Sequence, residues 1–348
     1  MVTLVPVTGL DPAQEETYAA WAGVFVACAE AEFGDRHDAW SADDLREMER
    51  SGDKRRLSVA ALEEDGTAVG GGMLILPMRD NPRLASIAIA VLPAHRRRGV
   101  GTRLAAYVED QARAQGRSIV VAESSVVGGG PDPAIGFAAG RGYALAQEMV
   151  RSDLALPADP ERLHPPPRTG DAPGGRQDGG ERGSPGEYAI ETNVGPMPHE
   201  WLADRVVLQR RMSTDAPHDD LVLEEEEWTP ERLRETEDKI ARMDREWIEA
   251  VARHVPTGRL VGYSAVEWPR ATPALIFQQD TLVLREHRGH GLGLRLKREL
   301  TRAAQERWPT ARSIRTWNAV TNTHMLAVNA ALGYRPGADI RAWQKRLA

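Results

Sequence analysis

The sequence predicts an α/β fold made of two tandem domains, each a mixed, mostly antiparallel sheet flanked by helices. The motif Arg-x-x-Gly-x-Gly occurs twice, starting at Arg96 and at Arg288, and both copies stand between a β-rich run and a helical run. A further strand and a short helix follow each copy, so the whole order of elements repeats. The 348 residues are enough for two domains of ordinary size.

A stretch that is poor in apolar residues separates the two halves. It covers 157–186 and contains three consecutive prolines, two Gly-Gly pairs and many charges. Such a composition cannot bury enough apolar surface to offset the entropy of ordering the chain. We therefore predict domains over 1–156 and 187–348, joined by a flexible linker over 157–186.

Hydrophobic periodicity and capping residues predict the elements of the first half. Strands are predicted over 3–7, 56–63, 68–77, 84–92, 118–122 and 145–154. Helices are predicted over 12–33, 42–50, 100–115 and 134–143. Ser41 is suited to cap the second helix and Gly116 to end the third. Hairpins followed by a strand–helix–strand crossover indicate a mixed sheet with helices on both faces.

The second half repeats this order of elements. Its strands are predicted over 188–192, 246–254, 260–268, 274–284 and 313–317. Its helices are predicted over 199–212, 230–243 and 292–307, with a loop and a short helix within 318–334. Because the glycine motif again lies between a strand and a helix, the second half predicts the same crossover as the first.

The repeated glycine turn is typical of an anion-binding site. Glycine lets the backbone approach an anion closely, because no Cβ stands in the way. The helix that begins there directs its unpaired N–H groups and the positive end of its dipole at the same point. Neighbouring arginines add attraction for phosphate. A basic turn without a ligand is the alternative, but two copies favour a polyphosphate site. The dinucleotide fingerprint and the P-loop both require other glycine spacings.

The strand, the pattern Val-x-x-x-x-Arg-x-x-Gly-x-Gly and the helix together resemble motif A of the GNAT acyltransferases. Leu332-Gly-Tyr334 and Arg141-Gly-Tyr143 resemble the end of that family's motif B. The resemblance implies acetyl-CoA (coenzyme A) as cofactor, with the backbone amides of the turn gripping its pyrophosphate. The implied binding residues are Leu282, Val283, Leu284, Arg288, Gly289, His290, Gly291, Leu292, Gly293 and Leu294 in the second half, and Val91, Arg96, Arg97, Arg98, Gly99, Val100, Gly101 and Thr102 in the first.

Asn318, Asn322, Met325 and Asn329 of the second half are further candidates for holding coenzyme A. The last three fall on one helical face, and amide side chains suit the amides or phosphates of the cofactor. The alternative is that Asn322 caps the helix and Met325 packs in the core. The corresponding helix of the first half is less polar, with Ala138 in place of Asn329, so we expect catalysis in the second half.

Acyl transfer to an amine requires a base, polarisation of the thioester oxygen and an acid for the leaving thiolate. The candidate bases are Asp280, just before a strand end, and Glu267, at the end of the preceding strand. The polar pair Gln278-Gln279 beside Asp280 predicts a lined pocket, whereas a solvated hairpin charge is the favoured alternative for Glu267. In many GNAT members, a tyrosine four residues before the glycine of the final Gly-Tyr acts as the general acid. That position is Asn329 here, so the acid is unassigned.

The sequence therefore predicts direct transfer of an acetyl group to the amine of a small molecule in the second half. The alternatives are a non-catalytic acyl-CoA sensor and, less favoured, an acyltransferase that uses aminoacyl-tRNA. A formal charge of −7 argues against nucleic acid as a partner. The single cysteine, Cys28, excludes an intrachain disulfide and favours a cytoplasmic location. We expect neither a membrane span nor a metal site. The acceptor and the oligomeric state are not predicted.

Overall fold

The computed structural model describes residues 2–163, 187–215 and 217–347. These residues group into two compact units. Unit 1 comprises Met1–Met149, His218–Glu226 and Ala338–Ala348. Unit 2 comprises Val150–Pro217 and Glu227–Gly337.

The strands and helices of the described residues lie close to the predicted positions. The strands are β1 Thr3–Val7, β2 Lys54–Leu62, β3 Ala68–Pro77, β4 Leu84–Val91, β5 Ile119–Val127, β6 Ala144–Ala155, β7 Tyr188–Val194, β8 Arg245–His254, β9 Arg259–Pro269, β10 Leu275–Val283, β11 Ser313–Ala319 and β12 Arg335–Arg346. The helices are α1 Glu15–Phe33, α2 Ala42–Arg50, α3 Val100–Ala114, α4 Ala134–Gly140, α5 Pro160–Leu163, α6 Leu202–Asp215, α7 Pro230–Arg242, α8 Leu292–Arg307 and α9 Thr323–Leu332.

In unit 1 the strand order is β1-β2-β3-β4-β5-β12-β6. Strands β1 to β4 are antiparallel neighbours, and α3 crosses over to β5, which is parallel to β4. The buried face of α3 presents Leu104 and Val108 to a core that also contains Val59 and Leu74. Burial of this apolar stripe fixes α3 against the sheet and so positions the glycine turn at its start.

In unit 2 the strand order is β6-β11-β10-β9-β8-β7. Strands β7 to β10 are antiparallel neighbours, and α8 crosses over to β11, which is parallel to β10. Leu296 and Leu300 of α8 pack against Ile248 and Ile314 of the sheet. The predicted fold class is therefore confirmed: both units contain a mixed, mostly antiparallel sheet flanked by helices.

The compact units follow contacts rather than chain order. The last strand, β12, pairs antiparallel with β5 from Ala338↔Val127 to Arg346↔Ile119, so the end of the second half lies in unit 1. Residues 150–155 of β6 belong to unit 2, where the N–H of Leu156 donates to the carbonyl of Arg312 at 2.8 Å. The boundaries 1–156 and 187–348 stay a prediction about the duplication, and each unit takes one strand from the other half.

The predicted linker lies largely outside the described residues, from residue 164 onward. Residues 157–163 differ from the expectation of a flexible segment. They include α5, and they bury Ala158 and Leu163 in the core of unit 2, because these apolar side chains find partners there. Across the described residues, no helix has the length and apolar character that a membrane span requires.

Candidate functional site

The glycine turn of unit 2 leads from β10 into α8 with a backbone that favours glycine. Gly289 and Gly291 have φ angles of 88° and 69°, in the left-handed region. None of the backbone N–H groups over 291–294 donates to a backbone carbonyl of a described residue. A Cβ built on Gly289, Gly291 or Gly293 would meet no atom within 4 Å. The turn therefore presents unpaired amides at an open surface, as an anion-binding helix start requires.

The first arginine of the motif donates a hydrogen bond to a backbone carbonyl at the end of the preceding strand in both units. Arg288 donates from Nε to the carbonyl of Val283 at 3.0 Å and from Nη2 to Oδ2 of Asp215 at 2.8 Å. In unit 1, Arg96 donates from Nε to the carbonyl of Val91, also at 3.0 Å. The repeated arginine thus closes the loop behind the strand end. A contact between Arg288 and phosphate stays a prediction.

The glycine turn of unit 1 is built in the same way but is less open. Gly99 has a φ of 81° at the start of α3, and Arg97 also adopts a positive φ of 62°. A Cβ on Gly101 would lie 3.6 Å from Val91 and 3.7 Å from the ring of Phe137. Of the remaining predicted residues here, Val100 is buried, whereas Arg98 and Thr102 are exposed.

Strands β10 and β11 of unit 2 stop pairing partway along β10, before the chain reaches the glycine turn. Their parallel pairing runs from Leu275↔Ser313 to Phe277↔Arg315. On its other side, β10 shifts register against β9 between Gln278 and Thr281, which is a β-bulge. The side-chain amide of Gln278 donates to the carbonyls of Ala265 at 2.7 Å and Gln279 at 3.2 Å. This side chain therefore satisfies the carbonyl groups beside the bulge.

A cavity of about 270 Å³ opens where the two strands diverge. Polar side chains dominate its wall, as the polar pair Gln278-Gln279 predicts. The lining residues are Met212, Gln278, Gln279, Asp280, Thr281, Lys297, Thr316, Trp317, Asn318, Asn322 and Met325. All of them belong to unit 2, so one unit supplies the whole wall.

Asp280, one of the two predicted bases, lines this cavity, and hydrogen bonds from two neighbouring side chains fix its carboxylate. Its Oδ2 accepts hydrogen bonds from the hydroxyl of Tyr263 and from Nε2 of Gln209, both at 3.2 Å. Burial, and then the Asp280 carboxylate, keep the pKa of Tyr263 well above its ordinary value, so this phenol stays a donor. The guanidinium of Arg205 lies 3.6 Å from the centre of the Tyr263 ring and adds positive charge behind the carboxylate.

Glu267, the other predicted base, does not line the cavity. Its Oε2 pairs with Nη1 of Arg245 at 3.3 Å, and its side chain is largely buried. Burial raises the pKa of Glu267, and the nearby Arg245 opposes that shift. The structure therefore assigns Glu267 to a buried ion pair rather than to the solvated hairpin edge that the sequence favours.

The predicted asparagines bond to neighbouring side chains of the protein. Nδ2 of Asn329 donates to Oδ1 of Asn318 at 2.7 Å, and Oδ1 of Asn329 accepts from Nζ of Lys297 at 2.7 Å. Asn322 caps α9 by accepting from the N–H of Met325 at 3.2 Å, which is the alternative interpretation from the sequence. Met325 lines the cavity. These amides thus have partners within the protein, and their contacts with coenzyme A stay a prediction.

Other predicted residues surround the turn without facing the cavity. Leu282 and Leu292 are buried in the cores of unit 2, so only their main chains can approach a ligand. The ring of His290 lies 5.0 Å from that of Tyr188, whose hydroxyl is 2.9 Å from Nδ1 of His287.

Lys297 is the cavity residue that the sequence reasoning missed. Only 1% of it is exposed, and burial lowers its pKa to about 7. The hydrophobic period of α8 places position 297 on the buried face, beside Leu296 and Leu300. The corresponding residue 192 positions earlier is Ala105. A charge on an apolar face, present in one copy of a duplication only, is the signal that marks this residue.

Comparisons with known proteins agree with the fold described above. The sequence profile of the acetyltransferase (GNAT) family matches residues 20–143. The solved tandem GNAT protein from the clavulanic acid biosynthesis pathway is 27% identical in sequence, with a TM-score of 0.77. That match covers 99% of this chain and 98% of the other. Residues 20–143 thus match the GNAT family, and the whole chain has the fold of a tandem GNAT protein. It is therefore an acyltransferase of the N-acetyltransferase type, and this family generally uses acetyl-CoA.

Two more distant structures share the fold of the tandem GNAT chain. A GCN5-related N-acetyltransferase from Sphaerobacter thermophilus is 17% identical, with a TM-score of 0.64 and coverage of 99% of this chain and 95% of that one. A putative acetyltransferase from Pyrococcus horikoshii is 12% identical, with a TM-score of 0.57 and coverage of 100% and 90%. No curated protein matches at a significant level.

Proposed function

We propose that the tandem GNAT chain is an acetyl-CoA-dependent N-acetyltransferase that acts on a small-molecule amine, with its active site in unit 2. The observation that supports this most is the open glycine turn of α8 beside a polar cavity at the divergence of β10 and β11. In unit 1 the position corresponding to Asp280, 192 residues earlier, is Ala88. That strand also pairs with its antiparallel neighbour without a register shift, so unit 1 has no equivalent bulge.

The residues around the turn fit a diphosphate. Unpaired N–H groups over 291–294 supply donors, and the start of α8 supplies the positive end of a helix dipole. Because Gly289, Gly291 and Gly293 leave the space in front of them open, a large anion can reach these donors. When bound, acetyl-CoA supplies an acetyl group activated as a thioester.

The cavity wall supports the transfer chemistry. The bulge takes Gln279 and Asp280 out of the regular register with β9, and we expect their backbone N–H groups to polarise a carbonyl oxygen. The Asp280 carboxylate takes one proton from the nitrogen of the neutral acceptor amine, and Tyr263 and Gln209 fix the orientation of the carboxylate. A fixed base of this kind raises the rate because it is already positioned before the amine arrives.

The size of the cavity supports a small acceptor. Its volume of about 270 Å³ lies just below that of ordinary ligand pockets, which hold roughly 300–1,000 Å³. Trp317 and Met212 add apolar surface to the otherwise polar wall. The similarity to a tandem GNAT protein from the clavulanic acid biosynthesis pathway also supports a small-molecule acceptor.

A thiol-release assay tests the proposal. The purified chain is mixed with acetyl-CoA and a panel of small primary amines, free thiol is followed over time, and acetylated products are detected by mass spectrometry. We expect release of coenzyme A that depends on one class of amine, with one acetyl group added to the amine. Binding of acetyl-CoA without thiol release for any amine would contradict the proposal and favour a sensor.

A further inference from the structure

The cavity of unit 2 contains a buried cation to which the proposed function gives no role. Lys297 extends from α8 into the cavity wall and is 1% exposed. Its Nζ donates a hydrogen bond to Oδ1 of Asn329, burial lowers its pKa, and no carboxylate of the described residues forms a direct ion pair with it. Burying an ammonium without a counter-charge is costly. A chain that keeps such a group at its polar cavity favours a functional role for it.

A short relay of amides fixes the position of Lys297. Because Nδ2 of Asn329 donates to Asn318, Oδ1 of Asn329 is the atom that faces Lys297. Asn329 therefore acts only as an acceptor toward the lysine. A lysine ammonium has three N–H donors, of which this contact uses one. The others remain for the cavity, whose wall includes Lys297.

The residues that line the cavity limit which side chain can act as the acid in the transfer. Among the described lining residues, Lys297 is the one cation, and Asp280 is the one carboxylate. Amide, hydroxyl, thioether and indole groups make up the rest, and none of them releases a proton near neutral pH. Asp280 is assigned to proton removal from the amine, which leaves Lys297 for proton delivery.

We propose that Lys297 is the acid that protonates the leaving thiolate of coenzyme A in unit 2, held in place by Asn329 and Asn318. The inference rests on the proposed function. The acceptor nitrogen forms a bond to the acetyl carbonyl carbon, the carbon–sulfur bond breaks, and its electron pair passes to sulfur. The proton on Nζ moves to that sulfur, and the excess proton of the acceptor nitrogen moves to Asp280. Solvent then returns a proton to Lys297 and removes one from Asp280.

The surroundings of Lys297 suit this role. Its pKa of about 7 lies near the pKa of a free thiol, roughly 8.5, so the proton can move either way at neutral pH. Tyr334 has its ring centre 5.2 Å from Nζ, Asp280 on β10 lines the same cavity, and Arg315 stands on β11. Arg315 is itself paired with Asp153 at 2.8 Å, so its charge is neutralised locally.

The first test compares leaving groups. Lys297→Met keeps the shape of the side chain and removes its proton, and we expect kcat with acetyl-CoA to fall roughly 100-fold. With the selenoester analogue of acetyl-CoA, whose selenol needs no acid to leave, wild type and Lys297→Met should have similar kcat. Thr301→Val, a buried polar residue of α8 outside the cavity wall, serves as the control and should leave kcat unchanged. An equal loss with both donors would indicate a merely structural role and overturn the inference.

The second test needs no turnover. The pKa of the coenzyme A thiol in its bound state is measured from the ultraviolet absorbance of the thiolate. Because Lys297 itself titrates near 7, its ammonium beside the sulfur should raise the thiolate fraction below about pH 7 in wild type relative to Lys297→Met. Identical thiolate fractions in the two proteins would overturn the inference while leaving the proposed function intact. Failure of wild type to bind coenzyme A would instead refute the proposed function itself.

Discussion

Asp280 and Lys297 are side chains of opposite charge that line one cavity, and different contacts fix their positions. The carboxylate is fixed by two hydrogen bonds from Tyr263 and Gln209, which remain outside the wall. The ammonium is fixed by one bond to Asn329 and by the packing of α8. Removing either charge therefore has a separable effect on catalysis and on stability.

Replacement of the carboxylate distinguishes the two sequence-predicted bases. Asp280→Asn should lower kcat roughly 100-fold, because the amide cannot take a proton from the acceptor amine. Its affinity for acetyl-CoA, measured by calorimetry, should stay near the wild-type value. Glu267→Gln should leave kcat close to wild type, because this side chain lies outside the cavity wall. Comparable losses in both variants would contradict the assignment.

The buried lysine should make stability depend on pH. Its pKa falls from an ordinary 10.5 to about 7 in the folded protein, so between these values the unfolded chain binds more protons. The free energy of unfolding should therefore rise with pH in this window, by at most about 1.4 kcal/mol per pH unit. Lys297→Met lacks this contribution and should be more stable than wild type at neutral pH. Urea unfolding at several pH values measures the difference, and a constant difference would exclude a neutralised lysine.

The strand β10 is irregular on both of its sides. Beyond Phe277 it leaves β11, which opens the cavity, and at its bulge it leaves the ladder with β9. The Gln278 side chain compensates for the lost ladder bonds by binding the carbonyls of Ala265 and Gln279. The strand can thus change register without leaving these two carbonyls unsatisfied.

Gln278→Leu should destabilise the protein even though leucine fits the volume. Each carbonyl that loses its partner without water costs about 1–3 kcal/mol. The neighbouring substitution Gln279→Leu is the matched control, since Gln279 is exposed and its change should cost little. Urea unfolding of the two variants gives the comparison. Equal stabilities would show that Gln278 does not support the bulge.

The regular elements of the fold were predictable, and the irregular ones were not. The glycine turns followed from motif and periodicity, because φ angles such as the 69° of Gly291 favour a specific residue type. The bulge depends on the register between two strands, which the local sequence does not specify. The contact between Lys297 and Asn329 joins residues 32 positions apart, so it depends on how α9 packs against α8.

At the scale of the whole molecule, the duplication does not produce two self-contained halves. Unit 1 incorporates Ala338–Ala348, and unit 2 incorporates the end of β6. The sequence could not predict this exchange, because the closing strands of the two halves occupy equivalent places in the repeat. Either pairing satisfies the alternation of the strands, and only tertiary packing selects between them.

A substitution at Trp343 tests whether the last strand of the chain belongs to unit 1. Trp343 belongs to the last strand of the chain, yet it is buried in the core of unit 1 and donates from Nε1 to Oγ of Ser124 at 3.0 Å. Trp343→Ala should destabilise unit 1 by about 3–5 kcal/mol. Amide hydrogen exchange should show lost protection in β5 and near-normal protection in β10. The opposite pattern would show that the last strand belongs to the core of unit 2.

Calorimetric titration with acetyl-CoA tests the central claim, that the amides at the start of α8 bind its diphosphate. Gly293→Val adds a side chain at a position where a Cβ meets no atom within 4 Å, and circular dichroism verifies the fold. The matched variant Gly101→Val makes the same change at α3. The account predicts that Gly293→Val abolishes binding at unit 2, whereas Gly101→Val retains it. Wild-type affinity and stoichiometry in Gly293→Val would contradict the account.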